Sequence, residues 1–272
     1  MASLPQWVEG ARPKTLPAAL APVAAGTGVA VWRLGELTGS VDWALVIPRA
    51  LALAVSFSLQ IGVNFANDYS DGIRGTDDDR VGPFRLTGSG AARPATVKRA
   101  AIISLALGGL FGVALVAVAQ MWWALVVGAA AIAAAWFYTG GRKPYGYLGL
   151  GEVFVFVFFG LVAVNGTALA ITGRPSWAAP LASVAIGSLA VALMLTNNLR
   201  DIPTDAASGK RTLAVRLGER GTRLLYTTTS LAPFVLMVPV IIAHRPAALV
   251  PLALPLALGP VRKVLGGTGA GT

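Results

Sequence analysis

The sequence predicts an all-α membrane protein, a bundle of helices that crosses the lipid bilayer several times. Three observations support this fold class: the composition, the spacing of the apolar segments, and the distribution of positive charge among the connections. Hydrophobic residues make up 55% of the 272 residues and charged residues only 12%, whereas soluble domains carry about 25% charged residues. A cleaved signal peptide would account for the first apolar segment but not for the later ones.

The apolar segments are long enough to cross a bilayer, since a spanning helix needs about 20 residues. Seven such segments are predicted, at 15–34, 43–66, 96–119, 121–139, 148–172, 178–199 and 222–243. An eighth segment, 247–261, is shorter and contains Pro251, Pro255 and Pro260. Because proline interrupts helices, this segment is interpreted as a broken span or a re-entrant piece.

Basic residues are unequally divided between the two ends of these segments. Of the 22 Lys and Arg, the four at one end are Arg33, Arg49, Arg174 and Arg245. The positive-inside rule places the other end, with the N-terminus, in the cytoplasm. Of the 12 Asp and Glu, only Glu36 and Asp42 lie opposite this basic side. A charge bias that only sets orientation needs no such acids, so the cytoplasmic side is expected to carry the function.

Composition also excludes several kinds of chemistry. The chain has no cysteine and a single histidine, His244, which excludes disulfides, thiolate chemistry and multi-histidine metal sites. A bound metal would therefore need oxygen ligands, which favour magnesium, manganese or calcium. The net charge of +10 is interpreted as orientation bias and as attraction for an anionic ligand, and no nucleic-acid partner is expected.

The first acidic motif, NFANDYSDGIRGTD, follows the second apolar segment. Positions three and four apart share one face of a helix, so its first polar residues are predicted to form a stripe at the cytoplasmic end of that segment. The stripe consists of Asn64, Asn67, Asp68 and Asp71. Asp77 follows after Gly72 and Gly75, which allow the chain to turn.

The second acidic motif, NNLRDIPTD, ends the sixth segment on the same side. Asn197, Asp201 and Asp205 are spaced four apart, although Pro203 is expected to kink this helix or to begin a new one. Two similar motifs four segments apart suggest related four-helix units. The chain is therefore interpreted as one transmembrane domain, 1–272, with a pseudo-repeat of 1–140 and 141–261.

Basic side chains accompany both acidic motifs. Clustered carboxylates repel one another and need counter-charges, and magnesium is typically held by a few carboxylates while substrate phosphates complete its shell. Arginine and lysine bind phosphate oxygens, although salt bridges and lipid headgroup contacts are simpler alternatives. The candidates are Arg12, Lys14, Arg74, Arg142, Lys143 and Lys210. Acids and bases on one face indicate metal ions that bridge a diphosphate.

Two further residues are candidates at the cytoplasmic ends of segments. Glu152 opens the apolar stretch GEVFVFVFFG, and an ionisable group at a span end is interpreted as functional, with snorkelling to the interface as the alternative. Tyr138 precedes the turn TGGRKPYGYLG. Tyrosines at this depth form interfacial belts, or border a cation or an aromatic substrate.

These motifs resemble the UbiA superfamily of intramembrane prenyltransferases. Its two acidic motifs are matched by Asn67-Asp68-x-x-Asp71 with Asp77, and by Asp201-x-x-x-Asp205. The stretches ARPKTLPAALAPV, NDYSDGIRGTDDDRVGPFRLTGSG, YTGGRKPYGYLGLGE and NNLRDIPTDAASGKRTLAVRLG are most similar to the 1,4-dihydroxy-2-naphthoate polyprenyltransferases of menaquinone biosynthesis. The family usually has nine spans, and the ninth is expected to lie beyond residue 272.

The resemblance implies an enzyme of the cell membrane whose active site faces the cytoplasm. It would transfer a polyprenyl group from polyprenyl diphosphate to the naphthoate, with loss of carbon dioxide and diphosphate, using Mg²⁺ or Mn²⁺. The implied metal ligands are Asn64, Asn67, Asp68, Asp71, Asp77, Asn197, Asp201 and Asp205. The four aspartates at 68, 71, 201 and 205, with Tyr138 and Glu152, form the implied catalytic set, and the six basic candidates would bind the diphosphate.

Three alternatives remain open from the sequence. The same chemistry could act on another aromatic acceptor, such as 4-hydroxybenzoate, homogentisate or chlorophyllide. A cation-coupled transporter could use the acidic helix ends as ion sites, although transporter sites usually lie near the membrane midplane. A metal-binding scaffold without catalytic activity would leave the basic residues unexplained.

Overall fold

The computed structural model describes residues 2–35, 43–75 and 84–267. Within these ranges the regular elements are all helices, which confirms the predicted fold class. Seven helices are long and apolar enough to cross a membrane, and an eighth, Ala124–Phe137, is apolar but shorter.

The helices are named in the order in which they follow one another along the chain. In the first half they are α1 (Leu4–Gly10), α2 (Leu16–Leu34), α3 (Trp43–Gly72), α4 (Pro94–Ala119) and α5 (Ala124–Phe137). In the second half they are α6 (Gly151–Val155), α7 (Ala163–Thr172), α8 (Ala178–Arg200), α9 (Ile202–Ala207), α10 (Leu213–Leu236), α11 (Val238–Ala243) and α12 (Leu254–Leu265). A π-helical stretch, Phe156–Val162, joins α6 to α7 in one continuous helix.

Two predicted segments differ from the structure. The segment 121–139 is helical over only 14 residues in α5, because the chain turns at Gln120, whose φ is +55°, and resumes a helix at Ala124. The segment 247–261 is continuously helical over Arg245–Leu265. It begins as a 3₁₀ helix that contains Pro251, and Pro255 stands in the first turn of α12, where no N–H is needed, whereas Pro260 lies inside α12.

Helix α3 is longer than its apolar segment and ends at Gly72. The first acidic motif, up to Asp71, therefore lies on its final turns, as the spacing predicted. The second motif is divided, since α8 ends at Arg200 and α9 begins at Ile202 with Pro203 in its first turn. The predicted break at Pro203 thus falls between two helices.

The chain divides into two compact units. The first comprises Met1–Leu20 with Asp42–Tyr147, and the second comprises Ala21–Val41 with Leu148–Thr272. The core of the first unit includes Phe65, Leu86 and Val97. The second unit has two core clusters, one around Val164 and one around Leu195. The pseudo-repeat of 1–140 and 141–261 stays a prediction.

Close packing in the second unit depends on two glycines that face each other. A Cβ atom at Gly160 would lie 2.6 Å from the carbonyl oxygen of Ser183 and 2.7 Å from the Cα atom of Gly187. These are backbone atoms, so they cannot move aside as a flexible side chain could. The π-helical stretch and α8 therefore approach each other closely only because both positions lack a side chain.

We expect Gly160→Ala to lower the free energy of unfolding by about 1–3 kcal/mol, the usual cost of overpacking. The measurement is thermal unfolding of the purified protein in detergent. Gly166→Ala is the matched control, because a Cβ atom there meets nothing within 4 Å in the described part of the chain. Equal stability of the two variants would contradict this account of the packing.

Candidate active site

The end of α3 places several polar side chains away from solvent. Asn64 and Asn67 are buried, and Asp68 and Asp71 are 0% and 4% exposed. Removing carboxylates from water is costly unless each gains hydrogen bonds or a counter-charge. The partners of these side chains come from three different parts of the first unit.

Asp68 is held by the loop that precedes α4. Its Oδ2 accepts the backbone N–H of Leu86 at 2.7 Å, and its Oδ1 accepts the backbone N–H of Thr87 at 2.8 Å. The loop also packs directly on α3, since a Cβ atom at Gly72 would lie 2.4 Å from Cγ2 of Thr87. Asp68 therefore binds backbone on a loop that is already pressed against its own helix.

Asp71 is held by side chains instead. The hydroxyl of Tyr147 donates a hydrogen bond to its Oδ1 at 2.5 Å. A terminal nitrogen of Arg85 lies 3.7 Å from its Oδ2, and both side chains of this ion pair are buried. Asp71 thus has a neutral donor and a positive counter-charge at the same site.

Asn67 and Arg74 contact the turn that follows α5. The hydroxyl of Thr139 donates to Oδ1 of Asn67 at 2.8 Å. Arg74 donates to the backbone carbonyls of Thr139 and Gly141, and to that of Ser70 at 3.2 Å. Asn67 and Asp71 share one face of α3, and Arg74 follows two residues after the helix ends, so the last turns of α3 and the residues just after it carry the contacts to the 139–147 loop.

Asn64 faces the start of the chain. Its amide nitrogen donates to the carbonyl of Ala11 at 2.8 Å and to the hydroxyl of Thr15 at 3.0 Å. These bonds hold the connection before α2, where Arg12 adopts a left-handed φ of +55°. The predicted stripe is therefore one helical face whose members contact different neighbours, and the side chain of Arg12 is partly buried within the same unit.

In the second unit, the acids lie where α8 meets α9. Asp201 is buried, and it accepts two hydrogen bonds from its neighbour Arg200, from Nε at 2.7 Å and from Nη2 at 3.0 Å. Asp205 lies one turn further on, with Nζ of Lys210 3.6 Å from its Oδ1. Asp201 and Asp205 therefore each have a positive charge beside them. A site that binds a metal ion together with an anionic group needs both carboxylates and basic side chains.

Glu152 is 4% exposed at the first turn of α6. Its Oε1 accepts a hydrogen bond from Nδ2 of Asn198 at 2.8 Å. The sequence pointed to Asn197, which is exposed, and missed its neighbour Asn198. Adjacent helix positions point in different directions, so only one residue of the pair Asn197-Asn198 can face Glu152. The repeated asparagine was the only sign in the sequence that this residue could be Asn198.

The aromatic residues of the 138–147 loop are packed together. The rings of Tyr138 and Tyr145 meet edge to face with centroids 5.6 Å apart. Tyr145 donates to the carbonyl of Ala134 at 2.9 Å, and burial raises the pKa of Tyr145, so its hydroxyl stays protonated. Four of the basic candidates are exposed, namely Lys14, Arg74, Arg142 and Lys143. Asp77 lies outside the described residues.

The donor set fits a hard divalent cation whose coordination a substrate completes. Among the described residues, no three Asp, Glu or His side chains form a ready-made metal cage. Magnesium needs none, because it is usually bound through one or two carboxylates plus substrate phosphates. The carboxylates of Asp71 and Asp205 each lie within 4 Å of a basic nitrogen, as expected where phosphate oxygens would also bind.

Fold and side chains together define a multi-span helical membrane protein with buried carboxylates and basic groups at its helix ends. The chain belongs to the UbiA prenyltransferase family, whose sequence model matches residues 15–266. This match confirms the resemblance noted from the two acidic motifs.

Individual relatives cover most of the chain. It is 54% identical over 270 residues to a protein of Mycobacterium tuberculosis (strain ATCC 25618 / H37Rv) named 1,4-dihydroxy-2-naphthoate octaprenyltransferase, covering 98% of this chain and 89% of the relative. A protein of the same name from Escherichia coli (strain K12) is 44% identical, covering 80% and 70% respectively.

A solved structure shares the fold. This structure, of a UbiA homolog from Archaeoglobus fulgidus bound to DMAPP and Mg²⁺, matches with a TM-score of 0.69. The match covers 94% of this chain and 85% of the other at 15% sequence identity. The similarity confirms the multi-span helical fold.

We expect Arg74→Ala to lower the free energy of unfolding by about 1–3 kcal/mol, because the buried carbonyl of Thr139 loses a charged donor. The measurement is thermal unfolding in detergent. Arg142→Ala is the control from the same loop. Both arginine side chains are exposed, so the comparison isolates the hydrogen bonds that Arg74 donates to the loop carbonyls, and the effect of Arg142→Ala should stay within about 0.5 kcal/mol. If Arg74→Ala were as stable as the control, Arg74 would not have the structural role described here.

Proposed function

We propose that this protein transfers a polyprenyl group from polyprenyl diphosphate to 1,4-dihydroxy-2-naphthoate, releasing carbon dioxide and diphosphate and giving the demethylmenaquinone precursor of menaquinone. The observation that carries the proposal is the 54% identity, over 98% of the chain, to a relative named for this activity. Buried carboxylates with adjacent basic groups at helix ends supply the polar chemistry that a diphosphate needs.

The proposed ligands of Mg²⁺ lie on both acidic motifs, and Mn²⁺ is an alternative ion. They are Asn64, Asn67, Asp71, Asp77, Asn197, Asp201 and Asp205, whereas the family resemblance also implies Asp68. The carboxylates lie beside basic groups in each unit, which is the arrangement expected for a metal–diphosphate complex. The bound ion supplies positive charge that stabilises the departing diphosphate.

The basic residues are proposed to bind the diphosphate oxygens directly. Lys210 is best placed for this, because it is buried beside Asp205. Arg12, Lys14, Arg142 and Lys143 would add charge around the mouth of the site. Arg74 was included by its position in the sequence, but its guanidinium donates to three backbone carbonyls, so we assign it mainly to holding the 139–147 loop.

The transfer itself exchanges one bond to carbon for another. The bond between the allylic carbon and the diphosphate oxygen breaks, and a bond forms to the ring carbon that bears the carboxylate. The bond to that carboxylate then breaks, its electron pair returns to the ring, and carbon dioxide leaves. Tyr138 is proposed to border the allylic cation through its ring face, and Glu152 to accept a hydrogen bond from an acceptor hydroxyl.

The orientation in the membrane is proposed from charge. Seven helices long and apolar enough to cross a membrane, together with the family, indicate a multi-pass membrane protein, and the basic connections favour a cytoplasmic position for the acidic motifs and the N-terminus. The polyprenyl chain would extend along the apolar helices toward lipid. The acceptor, a small aromatic acid, would enter from the aqueous side.

We expect membranes containing the protein to form a lipid-soluble prenylated product from dihydroxynaphthoate, a radiolabelled polyprenyl diphosphate and Mg²⁺. The product is measured after solvent extraction. Formation should stop with excess EDTA and resume when Mg²⁺ is restored, and Mn²⁺ should also restore it. Parallel assays with 4-hydroxybenzoate, homogentisate and chlorophyllide test the alternative acceptors. If no acceptor gave a product, the enzyme hypothesis would be wrong.

We expect Asp71→Ala and Asp201→Ala each to lower turnover by about 100-fold or more, because losing one preorganised charge at a leaving group has effects of this size. Glu9→Ala is the control, since Glu9 is an exposed carboxylate on α1. Initial rates are compared at equal amounts of folded, membrane-inserted protein. Near-normal rates in either aspartate variant would refute its role as a metal ligand.

A further inference from the structure

Asp68 differs from the other acids because both of its oxygens bind backbone amides. It is fully buried, and its two acceptors are the N–H groups of Leu86 and Thr87 at 2.7 Å and 2.8 Å. We propose that Asp68 is a positioning residue that fixes the loop before α4 and thereby places Arg85 beside Asp71 for diphosphate binding. The inference rests on the proposed function for what Arg85 binds, and it replaces the metal-ligand role given to Asp68 above.

Burial argues against Asp68 as a metal ligand. Magnesium gives up its water shell reluctantly and usually keeps several waters when bound to protein. Asp68 has no exposed surface, so a partly hydrated ion has no approach to its carboxylate in this conformation. Asp71, on the next turn, is held by side chains of Tyr147 and Arg85, which can change rotamer when a ligand binds.

The loop that Asp68 binds is fixed on both sides. Leu86 is fully buried in the core with Phe65, and a Cβ atom at Gly10 would lie 2.6 Å from Cδ1 of Leu86. On the other side of the loop, a Cβ atom at Gly72 would lie 2.4 Å from Cγ2 of Thr87. The two hydrogen bonds from the amides of Leu86 and Thr87 therefore fix which loop residues lie against Asp68, while the side chains of these two residues pack against α3 and against Gly10.

Arg85 gains its position from this placement of the loop. It directly precedes Leu86, its side chain is buried, and its terminal nitrogen is 3.7 Å from Oδ2 of Asp71. A guanidinium at this place matches phosphate oxygens in geometry and charge. Asp68 thus acts on the diphosphate only through the loop, whereas Arg85 would contact it.

The need for a carboxylate at position 68 follows from the two donors. Two N–H groups require two acceptors, and an aspartate supplies one on each oxygen. Asparagine would keep one acceptor and turn an NH₂ group toward the second N–H. Asp68→Asn should therefore release one loop amide while changing side-chain volume very little.

The first test is hydrogen–deuterium exchange of the loop amides, which does not depend on turnover. In purified protein without metal, the amides of Leu86 and Thr87 should exchange at least about 10-fold faster in Asp68→Asn than in wild type. In Asp71→Asn, the matched control on the same helix face, they should exchange at the wild-type rate. Unchanged exchange in Asp68→Asn would overturn the proposal.

The wild-type protein provides a test without any substitution. If Asp68 became a metal ligand, adding Mg²⁺ with inorganic diphosphate would draw its oxygens from the amides and speed their exchange. We expect the exchange of Leu86 and Thr87 to stay constant or to slow. Faster exchange on adding Mg²⁺ with diphosphate would overturn the proposal, even if Asp68→Asn failed to fold.

Kinetics separate the two roles once turnover is observed. At saturating prenyl diphosphate, the Mg²⁺ concentration for half-maximal rate should rise about 10-fold or more in Asp71→Asn but less than about 2-fold in Asp68→Asn. The KM for prenyl diphosphate should rise in Asp68→Asn and in Arg85→Gln, and the double variant should be no worse than Arg85→Gln alone.

Two kinetic outcomes would contradict the proposal: a raised Mg²⁺ requirement in Asp68→Asn, or additive effects in the double variant. A wild-type protein without turnover on any acceptor would instead refute the proposed function. The exchange measurements would still decide whether Asp68 fixes the loop, so the two failures are distinguishable.

Discussion

Four carboxylates, those of Asp68, Asp71, Glu152 and Asp201, are withdrawn from water at helix ends, and the arrangement of the site depends on how each is compensated. An uncompensated buried charge costs several kcal/mol, so every one of these acids requires donors nearby. In the first unit this requirement brings two loops, 84–89 and 139–147, onto the final turns of α3. The loops that frame the site are thus held by the acids themselves.

The same constraint operates in the second unit with different donors. Glu152 accepts a hydrogen bond from the side-chain amide of Asn198 on α8, and Asp201 accepts one from the guanidinium of its neighbour Arg200. Asp205 forms an ion pair with the ammonium group of Lys210. Compensation by mobile side chains leaves these acids able to exchange partners when a cation or a phosphate binds. Compensation by backbone, as at Asp68, does not. Under the proposed roles, the kind of donor separates Asp68, which fixes structure, from the acids that can bind ligands.

Glycines allow the helices and one loop of the protein to pack closely. Close backbone contact at Gly160 and Gly187, and the short distances from Gly10 and Gly72 to the 84–89 loop, fix helices and loop where larger residues could not fit. Apolar helices around a polar end also suit a substrate with a charged head and a long hydrocarbon tail.

The sequence by itself determined the fold class, the helical face of the first acidic motif and the family, because these depend on composition and on spacings of three and four residues. Tertiary structure alone decided which partner each polar side chain has. Thr139 and Tyr147 reach Asn67 and Asp71 from 72 and 76 residues away, and Asn198 was not singled out by any local pattern. Arg74 binds carbonyls because the 139–141 turn lies within its reach. Local periodicity fixes the direction in which a side chain points, whereas packing between distant segments fixes what it meets.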